Sequence, residues 1–227
     1  MGAVFVTATG TDIGKTFVTA GLVRRLRAQG SEADAIKPVM TGYDPRRAEN
    51  SDAGMLLRAL GRETTPETVA AMSPWRYSAP LSPDMAAALE NTSLDVDALI
   101  AHSRAAIAGT RGTLLIEGVG GIMVPLDARR TVLDWMIALD VPLILVTGSY
   151  LGTISHTLTA LDVLRRARLD VRAIVVNESP GSTVPLTETV ATLGRFAAGI
   201  ALVPLPRLAE PASDHPAFSE IAAHLPA

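Results

Sequence analysis

Short aliphatic and β-branched runs alternate along this chain with longer stretches in which apolar positions recur every three or four residues. Residues 3–7 (AVFVT), 33–39 (ADAIKPV), 112–118 (GTLLIEG), 141–148 (VPLILVTG), 171–177 (VRAIVVN) and 199–206 (GIALVPLP) have the composition of buried strands. The 3.6-residue period predicts helices from Lys15 to about Gln29, ended by Gly30, and over residues 94–108, 131–139, 155–168 and 186–197, with a further helical run after Asp52. Strand alternating with helix argues for βαβ units, whose right-handed crossovers cover both faces of a sheet. The expected fold is therefore α/β, a three-layer α/β/α sandwich on a mostly parallel central sheet. Residues 62–83, with SPWRYSAPLSP near their middle, break the alternation and are expected to form a long surface loop bordering a site. Both flanks share one pattern, so residues 1–227 are expected to form a single domain.

Composition narrows the chemistry. Hydrophobic residues make up 48% of the 227 positions, enough for a substantial core, and a net charge of −3 offers no basic footprint for nucleic acid. There is no cysteine, which excludes disulfides, thiolate metal sites and cysteine nucleophiles. No apolar run approaches the roughly 20 residues needed to span a bilayer, and no charged leader precedes the first strand. A cytoplasmic protein without membrane or nucleic-acid partners is expected.

Five segments carry candidate chemistry. TATGTDIGKTF, from Thr7 to Phe17, joins a strand to a helix through a Gly-Lys-Thr, the setting of a phosphate-binding loop. Its spacing departs from the general pattern, because Thr9 fills the first-glycine slot and the nearest glycine is Gly10. Lys15 supplies a mobile positive charge and Thr16 a hard oxygen suited to Mg²⁺. In IKPVMTG, Lys37 ends a buried strand where an unpaired lysine is costly, and Thr41 follows it. In ENSDAGML, Ser51 or Asp52 is placed to cap a helix. LLIEGVGG runs a buried strand into Glu117 and then Gly118, Val119 and Gly120, where P-loop proteins place a carboxylate on the metal side. VTGSYLGTISHT leads a strand into a helix through Gly148 and Gly152. His156, in its first turn, is read as a structural or surface residue. No zinc-type cluster or G-x-S-x-G elbow occurs.

In this order, over about Phe5 to Glu210, the segments FVTATGTDIGKT, IKPVMTG, NSDA, IEGVGG, LGTISHT, VVN and PLP resemble the dethiobiotin synthetases, P-loop NTPase-like enzymes of biotin biosynthesis. The resemblance implies ATP-dependent carboxylation and ring closure of 7,8-diaminononanoate with CO₂, through a carbamate and its mixed anhydride with phosphate, to give dethiobiotin, ADP and phosphate. It implies catalytic roles for Lys15, Lys37 and Thr11. It implies nucleotide contacts from Asp12, Ile13, Gly14, Lys15, Thr16, Phe17, Asp52, Glu117, Gly118, Val119, Gly120, Asn177, Glu178, Pro206, Arg207 and Leu208. Mg²⁺ would be held by Thr16, Asp52 and Glu117. Thr41, Gly152, Thr153 and Ser155 would face the substrate, the last three across a homodimer interface. The family loop places a glycine at Ala8, and Asp84, Ser155 and Arg207 also depart from its pattern.

Two rival readings share the loop and the strand order. A cobyrinate a,c-diamide synthase-like amidoligase carries an added glutaminase domain with a cysteine, and this chain has no cysteine. A ParA/MinD-type switch ATPase carries a second lysine early in the loop, where this chain has Ala8, Thr9 and Gly10.

Overall fold

The structure is a computed structural model, and it describes residues 2–212 and 214–226. Six strands form a parallel sheet in the order β2-β5-β1-β6-β7-β8: β1 (Ala3–Ala8), β2 (Ala33–Ile36), β5 (Thr113–Glu117), β6 (Leu143–Gly148), β7 (Val171–Asn177) and β8 (Ala201–Leu205). Two further strands, β3 (Val39–Thr41) and β4 (Trp75–Tyr77), pair parallel to each other in a small second sheet. The helices are α1 (Lys15–Ala28), α2 (Asp52–Ala59), α3 (Pro66–Met72), α4 (Pro83–Leu89), α5 (Val96–Gly109), α6 (Val132–Leu139), α7 (Thr153–Arg166), α8 (Leu186–Phe196) and α9 (Pro216–Ala223).

The period-2 geometry of strands divides the core into two layers. Ala3 and Phe5 of β1, Leu114 and Ile116 of β5, and Leu143 and Leu145 of β6 belong to one cluster, which holds buried residues of α5, α6 and α7. Val4, Val6 and Ala8, Leu115, and Ile144 and Val146 belong to the other, with residues of α1, α2, α3 and α9. This parity places the site. Glu117 follows Leu115 by two residues, so its carboxylate emerges on the face covered by α1. Lys37 continues the parity of Ala35 to the same face.

The expected α/β sandwich is the observed one, with two local differences. The second strand is cut at Lys37-Pro38 into β2 and β3, because Pro38 has no N–H to give a ladder and its carbonyl receives the N–H of Trp75 instead. The expected long loop over residues 62–83 holds α3 and β4. The start of α3 was legible in Thr65 and Pro66, since Thr65 and Thr68 form a reciprocal capping box with proline at the first helical position. Residues 80–83 still border the main crevice, as expected of that segment.

In the α5–α6 layer the indole N–H of Trp135, fully buried and edge-on to Phe5, donates to Ser103 Oγ at 3.1 Å. Ser103→Ala is expected to destabilise the protein by about 1–3 kcal/mol by orphaning that donor. Urea unfolding followed by tryptophan fluorescence measures it, and an unchanged midpoint would refute the bond's contribution.

Candidate active site

The order in which strands are added switches sides at β1, with β5 on one side and β6 on the other, so the connections leaving their carboxyl ends part and open a crevice. The phosphate-type loop fills its floor. Ala8 lies within β1, so the glycine missing there is not needed. The left-handed conformations fall at Asp12 (φ 56°), whose short polar side chain tolerates them, and at Gly14 (φ 101°). A Cβ on Gly14 would collide with the Asn177 side-chain amide, so glycine is required there on two counts.

Lys15 opens α1 and is buried. Its ammonium donates to Gly10 O at 3.0 Å and Gly120 O at 2.7 Å, joining the loop to the turn after β5. Burial, reinforced by the nearby Lys37 charge, lowers its pKa from 10.5 to about 8.

Lys37 is the hub of the second cluster. Its ammonium, 4% exposed, donates to Glu117 Oε1 at 2.7 Å and Gly118 O at 3.0 Å, and lies 3.2 Å from Asp52 Oδ2. Burial by itself opposes charge on Lys37, but the carboxylates of Glu117 and Asp52 outweigh it and hold the pKa above the ordinary lysine value. Burial likewise works against ionised Asp52, and Lys37 overrides it, holding that carboxyl below its usual range. Thr16 Oγ1 donates to Glu117 Oε1 at 2.7 Å, so a single oxygen serves the hydroxyl and the ammonium. The other oxygen, Glu117 Oε2, is buried without a hydrogen-bond partner. Ser51, not Asp52, caps α2: its Oγ accepts the Gly54 N–H at 3.1 Å, which frees Asp52 for Lys37.

A cavity of about 730 Å³ collects Thr11, Asp12, Gly14, Lys15, Thr16, Phe17, Lys37, Thr41, Asp52, Val119 and Gly120. A recess of about 360 Å³ adjoins it, sharing Asp12, Gly14 and Phe17 and adding Ile13, Asn177, Arg207 and Leu208. Asn177 Nδ2 donates to Ile13 O at 2.9 Å, and Glu178 receives the Arg207 N–H at 2.8 Å, so both brace the recess wall, while half-buried Pro206 lies beside them. Glu117 and Gly118 lie behind the cavity wall, bonded to Lys37. Gly152, Thr153 and Ser155 stand apart at the start of α7. Gly152 and Ser155 are exposed there, whereas Thr153 turns its hydroxyl inward to Gly148 O at 2.8 Å. His156 is exposed and meets the Tyr150 hydroxyl at 2.9 Å. Asp84 accepts from Ser82 on α4.

Sequence reasoning missed Tyr43, Asn50 and Met55 in the main cavity, and Ser179 and Pro180 in the recess, whereas the 80–83 segment was expected to border a site. For residues 80–83 the signal was the irregular proline-rich stretch. The others carry no local signature.

The described residues gather no group of three or more His, Cys, Asp or Glu suited to a metal ion. The oxygens near Glu117 are two carboxylates and a hydroxyl, and the orphaned Glu117 Oε2 is a buried acceptor lacking a cation or donor. That all-oxygen set fits a hard divalent cation that also takes phosphate ligands. Among the described residues no helix is long and apolar enough to cross a membrane.

Residues 2–210 match a family described as an AAA domain. The chain is 52% identical to an ATP-dependent dethiobiotin synthetase BioD of Methylobacterium nodulans, covering 84% of this chain and 87% of that one. It is 48% identical to proteins of the same name from Acidiphilium cryptum (84% and 86% covered) and a Caulobacter species (91% and 89% covered). Among solved structures, the cell division ATPase MinD of Pyrococcus furiosus superposes with a TM-score of 0.56 at 18% identity, over 99% of this chain and 98% of that one, a likeness of fold alone.

A Lys15 that holds a triphosphate would have to be charged, and a pKa of about 8 leaves it partly neutral at mildly basic pH. Nucleotide affinity is therefore expected to fall as the pH rises through about 8. Binding near that pH should take up about half a proton, since the bound anion restores the charge. Calorimetry in buffers of different ionisation heat measures this, and binding with no proton uptake would show that Lys15 was already charged.

Proposed function

The chain belongs to the family of ATP-dependent dethiobiotin synthetases, and on that footing we propose how its own residues carry out the ring closure. The observation that carries the proposal is the gathering of Lys15, Lys37 and Glu117, remote in sequence, around one crevice at the carboxyl ends of β1 and β5. One amine of 7,8-diaminononanoate adds to CO₂ and releases a proton, forming a carbamate. A carbamate oxygen then attacks the γ-phosphorus of ATP, and the bond to the ADP oxygen breaks. The second amine attacks the carbonyl carbon and sheds a proton, the ureido ring closes, and hydrogen phosphate leaves with that proton and the oxygen that had joined it.

The protein's part is electrostatic and positional. Lys15, with two of its three N–H groups on backbone carbonyls, has one left for the phosphates. Lys37 has all three engaged, and the contact to half-exposed Asp52, at 3.2 Å the longest, is the one it can exchange for a carbamate or phosphoryl oxygen. Its raised pKa keeps it a cation throughout, which suits charge stabilisation and not proton abstraction. Thr16, Asp52 and Glu117 are the residues that would hold Mg²⁺, which would supply charge neutralisation on the phosphates. Thr41, half-buried beside Lys37 in the cavity lining, is assigned to the diamine, and Thr11 at the open rim to the reacting phosphate. The recess flanked by Asn177 and Arg207 takes the base.

We assign a second copy of the chain to the exposed edge at Leu151, Gly152 and Ser155, where Leu151 is 86% exposed, and place the reaction in the cytoplasm. The partners proposed are the small molecules 7,8-diaminononanoate, CO₂ and ATP, since a net charge of −3 offers no basic footprint for nucleic acid.

ADP release is expected only when the diamine, bicarbonate and Mg-ATP are all present. Turnover that persists without the diamine would overturn the proposal in favour of a switch ATPase. Lys37→Gln should lower turnover at least ~100-fold. Because it also strands the buried Glu117 carboxylate, it should cost about 3–5 kcal/mol of stability. Turnover is compared where circular dichroism shows the variant folded, and near-normal activity there would remove Lys37 from the mechanism.

A further inference from the structure

The last-but-one residue of strand β6 is one that its surroundings do not call for. Leu143, Ile144, Leu145 and Val146 are fully buried aliphatics, and Thr147, equally buried, follows them with a hydroxyl. A buried hydroxyl is costly unless bonded, so an aliphatic of the same shape would fit this position at least as well on packing alone. Its partners explain it. Thr147 Oγ1 lies 3.2 Å from Thr9 Oγ1 in the phosphate loop, 2.9 Å from Thr153 Oγ1 and 2.7 Å from Thr157 Oγ1, both in the first turns of α7.

Proton counting orients the cluster. Thr153 Oγ1 donates to Gly148 O at 2.8 Å, and Thr157 Oγ1 donates to Thr153 O at 2.7 Å. Both α7 hydroxyls have committed their single proton to backbone carbonyls and can only accept from Thr147. Thr147 therefore donates into α7, nearest to Thr157, and its lone pairs face Thr9, whose proton has no other acceptor among its hydrogen bonds. The chain runs one way, from the phosphate loop through Thr147 to α7. The same β6–α7 connection is tied to the recess wall by a reciprocal pair, Ser149 N–H to Ser179 Oγ at 3.1 Å and Ser179 N–H to Ser149 Oγ at 3.0 Å.

We propose that Thr147 is a positioning residue for nucleotide binding: its hydroxyl pins Thr9, and with it the start of the phosphate loop, to the first turns of α7. It touches no substrate. The inference rests on the assignment of Gly10–Thr16 as the triphosphate site, and its test separates the two.

Dissociation constants for Mg-ATP are measured by calorimetry, without diamine, for the full chain and for Thr147→Val, Thr147→Ser, Thr9→Val and the Thr9→Val/Thr147→Val pair. Thr147→Val preserves shape, so the melting temperature should stay close to that of the parent. ATP affinity should fall roughly three- to ten-fold, as for loss of one hydrogen bond. Thr147→Ser should restore it. The pair should be no worse than the weaker single variant, because both changes remove one interaction. Unchanged affinity in Thr147→Val, or losses that multiply in the pair, would overturn the proposal. Failure of the unaltered protein to bind Mg-ATP would instead refute the assignment of the loop.

Discussion

The buried ion pair between Lys37 and Glu117 is the contact on which the arrangement of the crevice depends. Neither charge would survive there alone: Glu117 is fully buried and Lys37 nearly so, and an isolated charge in such a place is neutralised or expelled. Together, with Asp52, Thr16 and Gly118 O completing the hydrogen bonding, they tie the end of β2 to the end of β5 and to the start of α1 and α2. A buried pair is a poor source of stability, because desolvation of both ions offsets their attraction. Its use is better explained by the proposed chemistry: from behind the cavity wall it holds the Lys37 ammonium, which lines the cavity, charged and fixed where it would meet anionic oxygens.

Around that pair the two lysines are set to different tasks by their surroundings. Lys37 has two carboxylates within reach and stays charged, whereas burial, with a cationic neighbour, drops the pKa of Lys15 to about 8. An anion bound at the loop, as proposed, would meet one permanent cation and one whose charge the anion itself stabilises. The loop backbone is bent to suit through two left-handed residues, Asp12 and Gly14, and is held from behind by Asn177 on one side and the Thr9–Thr147 contact on the other.

Much of this was legible in the linear chain. The strands of the main sheet fall within the predicted runs, except that β1 reaches one residue further to Ala8, because buried parallel strands are uninterrupted aliphatic segments and leave a strong local mark. The small parallel pair β3–β4 left none. Each strand has three residues, and their pairing across α2 and α3 depends on Pro38 ending β2 and on Trp75 finding the Pro38 carbonyl. Ser51 and Asp52 were interchangeable as caps by sequence. Lys37, 3.2 Å from Asp52, decided between them. Ala8 looked like a defect in the loop motif, yet it continues β1, and the glycine-demanding conformation lies at Gly14.

The sequence by itself determined the layer architecture, the loop with its lysine, and the identity of the charged residues at strand ends, since periodicity and turn chemistry act over a few neighbouring residues. Only the tertiary structure decided which oxygen each ammonium meets, that Glu117 Oε2 is left without a partner, and that Thr153 faces inward to Thr147. The ammonium contacts join residues up to 105 positions apart, and their geometry follows from strand order and side-chain parity across the sheet, which no local pattern encodes.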